Sequence, residues 1–333
     1  MIFVTGGTGM LGAHLLFELS RENEHIRALY RSTAKINQVR SLFKFYNPDD
    51  WKTQFDRIKW VEGDILDIPL LIEQIEGSTN VYHCAALVSF HPKDFNALIK
   101  VNREGTENVV NACLHHHVDK LCYVSSTAAI GGLSGATIDE NTKWKNIPDT
   151  SGYSTTKYSA ERAVWRGIEE GLKAVIVNPC VILGAGNWNE SSLTIFKTVQ
   201  KGIRFFPPGS NATVDARDVA TIMVRLMQSE IHSERYLCIG SNQSFKELMT
   251  VIANEIGVRA PSKKVSRALV TFVRRIKSFF AWISGSRSNI TKETVDSLFN
   301  NKAYSNAKIS EALNFTFRDL QEQVRNGVAG RIV

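Results

Sequence analysis

Residues 2–12 read IFVTGGTGMLG, an apolar β-strand that runs directly into a glycine loop and then into an apolar helix. Glycines at this place let the backbone turn tightly and bring the helix N-terminus close to a pyrophosphate, whose charge meets free N–H groups and the helix dipole. A glycine-rich trio alone is a weak signal, but its position between a strand and a helix predicts a dinucleotide-binding loop. The spacing of Gly6, Gly9 and Gly12 is GxxGxxG, not the commoner GxGxxG.

Apolar β-type runs alternate with amphipathic helical stretches over the first 180 residues. Strands that helices separate at this spacing form βαβ units and hence a parallel sheet with helices on both faces. We therefore predict an α/β protein with a Rossmann-type doubly wound parallel sheet and a smaller C-terminal α/β substrate cap. The predicted strands are Ile2–Thr5, Ile26–Tyr30, Ile58–Glu62, Val81–Cys84, Leu121–Ser125, Ala174–Val177 and Tyr236–Ile239, and the predicted helices are Met10–Ser20, Ala97–His116, Ser154–Glu170 and Ala216–Ser229.

The regular pattern loosens after Pro179 into segments rich in Gly, Asn, Ser and Pro. A later helix and strand look like returns to the main domain. We therefore expect an NAD(P)-binding Rossmann domain formed by residues 1–180 plus about 213–240. The substrate-binding cap would comprise about 181–212 plus 241–333.

The composition is that of an ordinary globular protein, because 43% of the 333 residues are hydrophobic and 22% are charged. This balance excludes a disordered, a collagen-like or a disulfide-rich chain. The five cysteines are odd in number and form no CxxC, which is typical of reduced, buried thiols. No run of 18 apolar residues and no basic leader is present, so we expect a cytoplasmic protein without integral membrane insertion.

The net charge of +7 is concentrated near the C-terminus, where residues 251–333 carry 14 Lys and Arg against 6 Asp and Glu. Such an excess can attract an anionic ligand, nucleic acid or a membrane surface, but a solvated face is the simpler interpretation. The basic and aromatic stretch 265–284 is interpreted as a cap helix, with a membrane-surface segment or the pocket mouth as alternatives. We expect no nucleic-acid partner, because no aromatic–basic motif lies outside the cap.

The end of the second strand bears on the choice of cofactor. An NAD binder carries an acid there to accept from the ribose hydroxyls, but this strand ends in Arg31 and Ser32. Arg31 can pair with a 2′-phosphate, and Ser32 could add a donor. NADP is therefore favoured over NAD, which stays possible. Asp64, after the third strand, can accept from an adenine amino group.

Tyr153 and Lys157 open a helix at positions i and i+4, so that the phenol and the ammonium project from one face. A neighbouring ammonium favours the phenolate and lowers the pKa of the tyrosine, which makes proton transfer to or from a carbonyl or alcohol feasible. YxxxK alone is common by chance. It gains weight from Thr127, whose hydroxyl follows a strand at the end that faces the ligand crevice of a parallel sheet.

Together these motifs resemble the extended branch of the short-chain dehydrogenase/reductase superfamily, the NAD-dependent epimerase/dehydratase family. The resemblance covers roughly residues 1–240, and the combination of motifs is specific where no single one is. The motifs are TGGTGMLG at 5–12, HCAA at 83–86, VNREGT at 101–106, SST at 125–127, YSTTK at 153–157, NP at 178–179 and VDARDVA at 214–220.

The resemblance implies a role for each matched position. Tyr153 would be the general acid–base, Lys157 would bind the nicotinamide ribose and tune Tyr153, and Thr127 would hydrogen-bond the reacting oxygen. The residues expected to contact the cofactor are Gly6, Thr8, Gly9, Met10, Leu11, Gly12, Arg31, Ser32, Asp64, Ile65, Ala85, Asn102, Lys157 and Pro179.

Within the branch, the Tyr-Arg strand end and the Asn-Pro segment look more like dihydroflavonol reductases and 3β-hydroxysteroid dehydrogenase relatives than like sugar-nucleotide enzymes. Sugar-nucleotide dehydratases place an Asp-Glu pair after the catalytic Thr, whereas Ala128 and Ala129 follow Thr127 here. We therefore expect an NADP(H)-dependent oxidoreductase that interconverts a small-molecule ketone or aldehyde and an alcohol. An NAD-dependent nucleotide-sugar epimerase and a non-catalytic dinucleotide-sensing protein are the alternatives, and a homodimer stays open.

Two further features are assigned minor roles. His115, His116 and His117 diverge around a helix and cannot converge on one ion, so we expect no metal site. Trp188 and residues 205–206 fall in segments that, by resemblance, face the substrate, which weakly suggests an apolar or aromatic substrate.

Overall fold

A parallel seven-stranded sheet forms the centre of the molecule, in the order β3-β2-β1-β4-β5-β7-β12. The computed structural model describes residues 1–22, 25–131, 135–144, 150–272 and 292–332. The strands of this sheet are β1 Ile2–Thr5, β2 Ile26–Tyr30, β3 Ile58–Glu62, β4 Asn80–His83, β5 Lys120–Val124, β7 Ala174–Pro179 and β12 Glu234–Cys238. The predicted Rossmann-type fold class is thus confirmed.

The helices lie on both faces of this sheet and in the C-terminal part. Their bounds are α1 Met10–Leu19, α2 Thr33–Tyr46, α3 Trp51–Asp56, α4 Ile68–Ile75, α5 Phe95–Leu98, α6 Gly105–His115, α7 Gly152–Glu169, α8 Thr194–Gln200, α9 Ala216–Gln228, α10 Phe245–Ile256, α11 Lys292–Phe299, α12 Ala307–Leu313 and α13 Leu320–Ala329. None of the helices within the described ranges is long and apolar enough to span a membrane.

The remaining strands are short and lie mostly beyond the carboxyl edge of the central sheet. They are β6 Thr137–Ile138, β8 Val181–Leu183, β9 Gly186–Asn187, β10 Phe205–Phe206, β11 Ser210–Asp215, β13 Ser241–Ser244, β14 Lys263–Lys264, β15 Ala303–Tyr304 and β16 Arg331–Ile332. Strands β13, β11 and β8 form a three-stranded sheet, and β15 pairs with β6.

Apolar side chains fill both faces of the central sheet. On one face Leu15 and Leu16 of α1 join Met223 of α9 in a single cluster. On the other face Leu71 of α4 and Val109 of α6 belong to a second cluster. Because both faces are covered, the strands need no alternation of apolar and polar residues, which is why they appear in the sequence as short continuous apolar runs.

One predicted helix differs from the structure. The stretch 97–116 was expected to be a single helix, but a wider π-type segment, Ile99–Glu104, separates α5 from α6. Asn102 lies in this segment with 1% of its surface exposed. Its amide accepts from the Leu87 backbone N–H at 2.8 Å and donates to the Leu87 carbonyl at 3.0 Å. Such widened turns are frequent where a side chain has a specific position to occupy.

Candidate active site

The glycine loop joins β1 to α1, and there is almost no free space around the α-carbons of Gly6 and Gly12. Gly6 has φ +69°, and a Cβ there would lie 2.4 Å from the backbone nitrogen of Ala85. A Cβ on Gly12 would lie 2.1 Å from the Gly6 carbonyl oxygen. The Gly6 carbonyl in turn accepts a hydrogen bond from the Gly9 N–H at 3.0 Å. These contacts bring the first turn of α1 against the ends of β1 and β4, where the strand order reverses direction.

A cavity of about 1790 Å³ extends from this loop along the carboxyl ends of β5 and β7 and into the C-terminal part. A Cβ on Gly9 would meet only the Gly6 carbonyl oxygen, at 3.3 Å, so the space before the helix N-terminus is open to a phosphate-bearing group. The loop and the cavity therefore fit a dinucleotide. The predicted site residues that line the cavity are Gly6, Thr8, Gly9, Met10, Leu11, Gly12, Thr127, Tyr153, Lys157 and Pro179.

The remaining predicted cofactor residues lie outside this lining. Arg31 and Asp64 are largely exposed and face each other, with NH1 and Oδ2 3.6 Å apart. The other Asp64 oxygen accepts from the Leu66 N–H at 3.0 Å. Ser32 immediately precedes α2. These groups cluster at the ends of β2 and β3, and the Arg31 guanidinium there already has the Asp64 carboxylate as a neighbour.

Ile65, Ala85 and Asn102 have structural contacts. Ile65 is buried against Gly105, where a Cβ would come within 2.4 Å of the Ile65 side chain. The Ala85 N–H donates to the Thr5 hydroxyl at 3.3 Å. Asn102 also donates to the hydroxyl of Thr156 at 3.1 Å, which connects the loop after β4 with α7.

Tyr153 stands in the first turn of α7, which begins where the Ser151 hydroxyl accepts from the Ser154 N–H at 3.0 Å. Its side chain is 9% exposed, and burial raises its pKa to about 12, against a smaller opposing effect of a hydrogen bond with the Ser126 hydroxyl. The Phe90 ring packs edge-on against the phenol ring, with the two ring centroids 5.6 Å apart. The expected lowering of the Tyr153 pKa by Lys157 was therefore wrong for this structure, because burial dominates. At neutral pH the phenol is protonated, the form that can donate a proton.

Lys157 is 1% exposed and lies beneath Tyr153 on the same helix. Its Nζ donates to the Tyr123 hydroxyl at 2.7 Å and to the Val124 carbonyl at 2.8 Å. Burial lowers the pKa of Lys157 to about 7, while the charges of Glu161 and Cys84 act in the opposite direction. No hydrogen bond joins Lys157 to Tyr153 among the described residues, so the ammonium has one donor left for a ligand.

Glu161, one turn beyond Lys157, was not identified from the sequence. It is 2% exposed and accepts from the Ser125 hydroxyl at 2.8 Å, the Asn178 amide at 2.9 Å and the Arg235 guanidinium at 3.0 Å. The i+4 spacing from Lys157 was a usable signal. Its three partners come from β7, β12 and the end of β5, which no local pattern connects.

Tyr304 of β15 is the second group that the sequence did not indicate. Its phenol forms a hydrogen bond with Thr127, and burial raises its pKa to about 12. Both main-chain groups of Tyr304 bond to the Asn242 side chain, at 2.8 and 2.9 Å. The hydroxyl of Thr127 is thus approached from a segment 177 positions further along the chain, because β15 pairs with β6.

Trp188 and His116, two residues considered in the sequence analysis, both form hydrogen bonds within the protein. Trp188 does not face the cavity: it is 3% exposed, stacks on Phe196 at 5.3 Å and donates from its indole to the Gly327 carbonyl at 2.9 Å. Its role as a substrate-facing residue was therefore wrong, because the indole fills the core beneath α13. His116 donates to the Ile72 carbonyl at 2.7 Å, and the described residues contain no group of three or more metal-ligating side chains.

The basic stretch 265–284 lies largely outside the described residues, which end at 272 on this side. Within the described part, Leu269 and Phe272 are exposed at 43% and 61%. Arg267 of the same stretch lines the cavity and pairs with Asp296.

Comparison with known proteins extends these observations. The model of the NAD dependent epimerase/dehydratase family matches residues 2–240. A putative dihydroflavonol 4-reductase of Synechocystis sp. is 28% identical over 272 residues, 79% of this chain and 74% of that protein. The sterol demethylase protein B of Methylococcus capsulatus is 28% identical over 279 residues, 82% and 80% respectively. The crystal structure of gox2253 shares the fold, with a TM-score of 0.80, 24% identity and coverage of 99% of this chain and 97% of that one.

Proposed function

This chain belongs to the NAD-dependent epimerase/dehydratase family, and from that premise we propose that it is an NADP(H)-dependent reductase that interconverts a ketone or aldehyde and an alcohol. Tyr153 is the proton donor and acceptor. Thr127 hydrogen-bonds the reacting oxygen, and Lys157 contacts the cofactor ribose and supplies positive charge beside the phenol. The observation that carries the proposal is one continuous cavity that the glycine loop and these three residues line together.

The cofactor and the side chains of the protein supply different parts of the reaction. When bound, the nicotinamide cofactor supplies or accepts the hydride at the substrate carbon. In the reducing direction the carbonyl carbon receives this hydride, the oxygen receives the proton of Tyr153, and the phenolate regains a proton from water. The raised pKa of Tyr153 keeps its proton available for that transfer. Lys157, one helical turn further, stabilises the phenolate as it forms.

The other predicted cofactor contacts remain part of the proposal. The backbone of Gly6, Gly9 and Gly12 would approach the pyrophosphate, with Thr8 in the loop and Met10 and Leu11 in the first turn of α1. Arg31 and Ser32 would bind a 2′-phosphate, and this is why we propose NADP(H). The proposal divides the chain into two parts. Residues 1–180 with 213–240 bind the cofactor, and residues 181–212 with 241–333 bind the substrate.

Two observations favour a reductase over the sugar-nucleotide reactions of the family. Ala128 and Ala129 follow Thr127 in a short turn and offer no carboxylate for elimination of water. A relative that is named as a putative reductase is 28% identical over 79% of this chain. An epimerase needs no such acid pair and is the second candidate.

The test is consumption of NADPH with a panel of small ketones and aldehydes, followed by loss of absorbance. We expect multiple turnovers with at least one compound and protein that is largely cofactor-free after purification. Tyr153→Phe should abolish turnover but leave NADPH affinity nearly unchanged, because only the proton donor is removed. NAD retained in stoichiometric amount, together with epimerisation of a nucleotide sugar, would establish the second candidate instead.

A further inference from the structure

Lys302 lines the same cavity as the glycine loop, Thr127 and Tyr153. It follows Asn301, which forms an isolated bridge with Ser210, and it precedes β15. The Lys302 carbonyl accepts from the Ser210 hydroxyl at 3.4 Å, so the chain is tied down on both sides of this residue. In extended chain, residues two apart project to the same side. Lys302 therefore projects on the side of Tyr304, whose hydroxyl contacts Thr127.

The ammonium of Lys302 has no acidic partner among the described residues. It forms none of the ion pairs in that part of the chain, and burial alone accounts for the lowering of its pKa. The other cations of the cavity differ: Arg267 pairs with Asp296, Lys157 donates to Tyr123 and Val124, and Lys143 is exposed. A partly buried ammonium without a counter-charge is unfavourable, so a compensating anion is expected from outside the chain.

We propose that Lys302 binds an anionic group of the substrate, a carboxylate or a phosphate, while the carbonyl lies at Thr127 and Tyr153. The inference rests on the proposed function and narrows it to carbonyl compounds that carry a negative charge. The two side chains at 302 and 304 leave the backbone about 7 Å apart, which separates the anionic group from the reacting carbon by roughly the length of an aromatic ring. Lys302 is a binding residue here and takes no part in the proton transfer.

The experiment measures equilibrium binding to the NADPH-saturated protein by calorimetry, because an alcohol and NADPH cannot react with each other. The ligands are 4-(hydroxymethyl)benzoate, 4-(hydroxymethyl)phenyl phosphate and the methyl ester of the benzoate as the neutral reference. We expect each anion to bind about 10- to 150-fold more tightly than the ester, as for one charge-assisted hydrogen bond. The two anions compared with each other identify which class of headgroup the site prefers.

Three variants isolate the charge. Lys302→Met should bind the ester as the unmodified protein does and lose the preference for both anions, whereas Lys302→Arg should retain most of it. Lys201→Met is the matched control, because Lys201 is exposed and lies outside the cavity lining. Equal binding of anions and ester by the unmodified protein, or an undiminished preference in Lys302→Met, would refute the proposal.

A second measurement separates this inference from the proposed function. Reduction of 4-formylbenzoate and of its methyl ester by NADPH is compared in the same variants. If both compounds were reduced at equal kcat/KM and this activity required Tyr153, the proposed reductase function would be supported. The proposed anion site at Lys302 would be refuted. Lys302-dependent binding of the anions without NADPH consumption by any carbonyl compound would support the anion site and overturn the reductase.

Discussion

The charge state of Lys157 depends on a single buried carboxylate. Burial drives the Lys157 pKa down to about 7, and the charge of Glu161 is the largest effect that opposes it. Glu161 itself is compensated by Arg235 and by the hydrogen bonds of Ser125 and Asn178. Glu161, which does not line the cavity, thus raises the pKa of Lys157, which does.

The prediction concerns the pH profile. Glu161→Gln removes the negative charge, so the Lys157 pKa falls and the ammonium loses its proton at a lower pH. Activity that needs charged Lys157 should therefore fall off about one pH unit earlier as pH rises, measured as kcat/KM against pH. Glu169→Gln, an exposed carboxylate on the same helix, should leave the profile in place. An unshifted basic limb in Glu161→Gln would contradict the assignment.

Substitution of Arg31 tests the proposed preference for NADP(H) over NAD(H). Its guanidinium is 64% exposed and already 3.6 Å from Asp64, so it is available to a phosphate at the rim of the sheet. NADPH should bind more tightly than NADH, and Arg31→Ala should remove most of a difference of about 10- to 150-fold. Binding titrations followed by nicotinamide fluorescence measure both affinities. Equal affinities in the unmodified protein would exclude the role, and Arg40→Ala provides the control for a lost surface charge.

At the scale of the element, the β1–loop–α1 unit is limited by the space around its glycines. Both glycines line the cavity, but a Cβ on Gly12 would lie 2.1 Å from the Gly6 carbonyl oxygen, whereas a Cβ on Gly9 would lie 3.3 Å from it. The two glycines therefore serve different ends: one allows the helix to approach the loop, and the other leaves room for a ligand. This distinction is invisible in the spacing GxxGxxG, which treats both positions alike.

Alanine at each position should separate packing from binding. Gly12→Ala places a methyl group 2.1 Å from the Gly6 carbonyl oxygen and should destabilise the fold by about 1–3 kcal/mol. Gly9→Ala should change the free energy of unfolding little but should weaken NADPH binding, because its methyl group occupies the ligand space. Urea unfolding and cofactor titration of both variants give the comparison. Equal destabilisation by the two alanines would argue against this division.

At the scale of the whole molecule, the C-terminal part returns to the central sheet. Asp218 in α9 is fully buried, and it accepts hydrogen bonds from the Arg318 N–H at 2.9 Å and from the Arg318 guanidinium. Phe315 and Phe317 pack against the same core as α1 and α9. The segment between β15 and α13 thus attaches Tyr304 and Lys302 to the body of the protein.

Loss of the Arg318 guanidinium should lower the stability of the whole protein. Arg318→Ala leaves the Asp218 carboxylate short of a partner and should lower the free energy of unfolding by about 1–3 kcal/mol. Arg325→Ala removes an exposed arginine of α13 and is the matched control. Urea titration followed by tryptophan fluorescence measures both. Indistinguishable midpoints for the two variants would mean that Arg318 contributes nothing to anchoring.

The sequence by itself was sufficient for the Rossmann-type sheet, the glycine loop and the family. Each of these depends on local physics: an apolar run buried on both faces, a turn that only glycine permits, a helix whose i and i+4 positions share a face. The predicted strands match β1, β2 and β3 residue for residue, and each of them is followed directly by glycine or arginine. Whether the assigned site residues act as proposed stays a prediction.

Only the tertiary structure brought Tyr304 and Lys302 to the cavity and Glu161 to its buried partners, and only it placed Trp188 in the core. These residues meet their partners across long stretches of chain, from Thr127 to Tyr304 and from Glu161 to Arg235. Such contacts follow from the pairing of β15 with β6 and of β12 with β7, which no periodicity within either segment specifies. Burial is likewise a property of the assembled fold, and burial is what raises the pKa of Tyr153 and lowers that of Lys157.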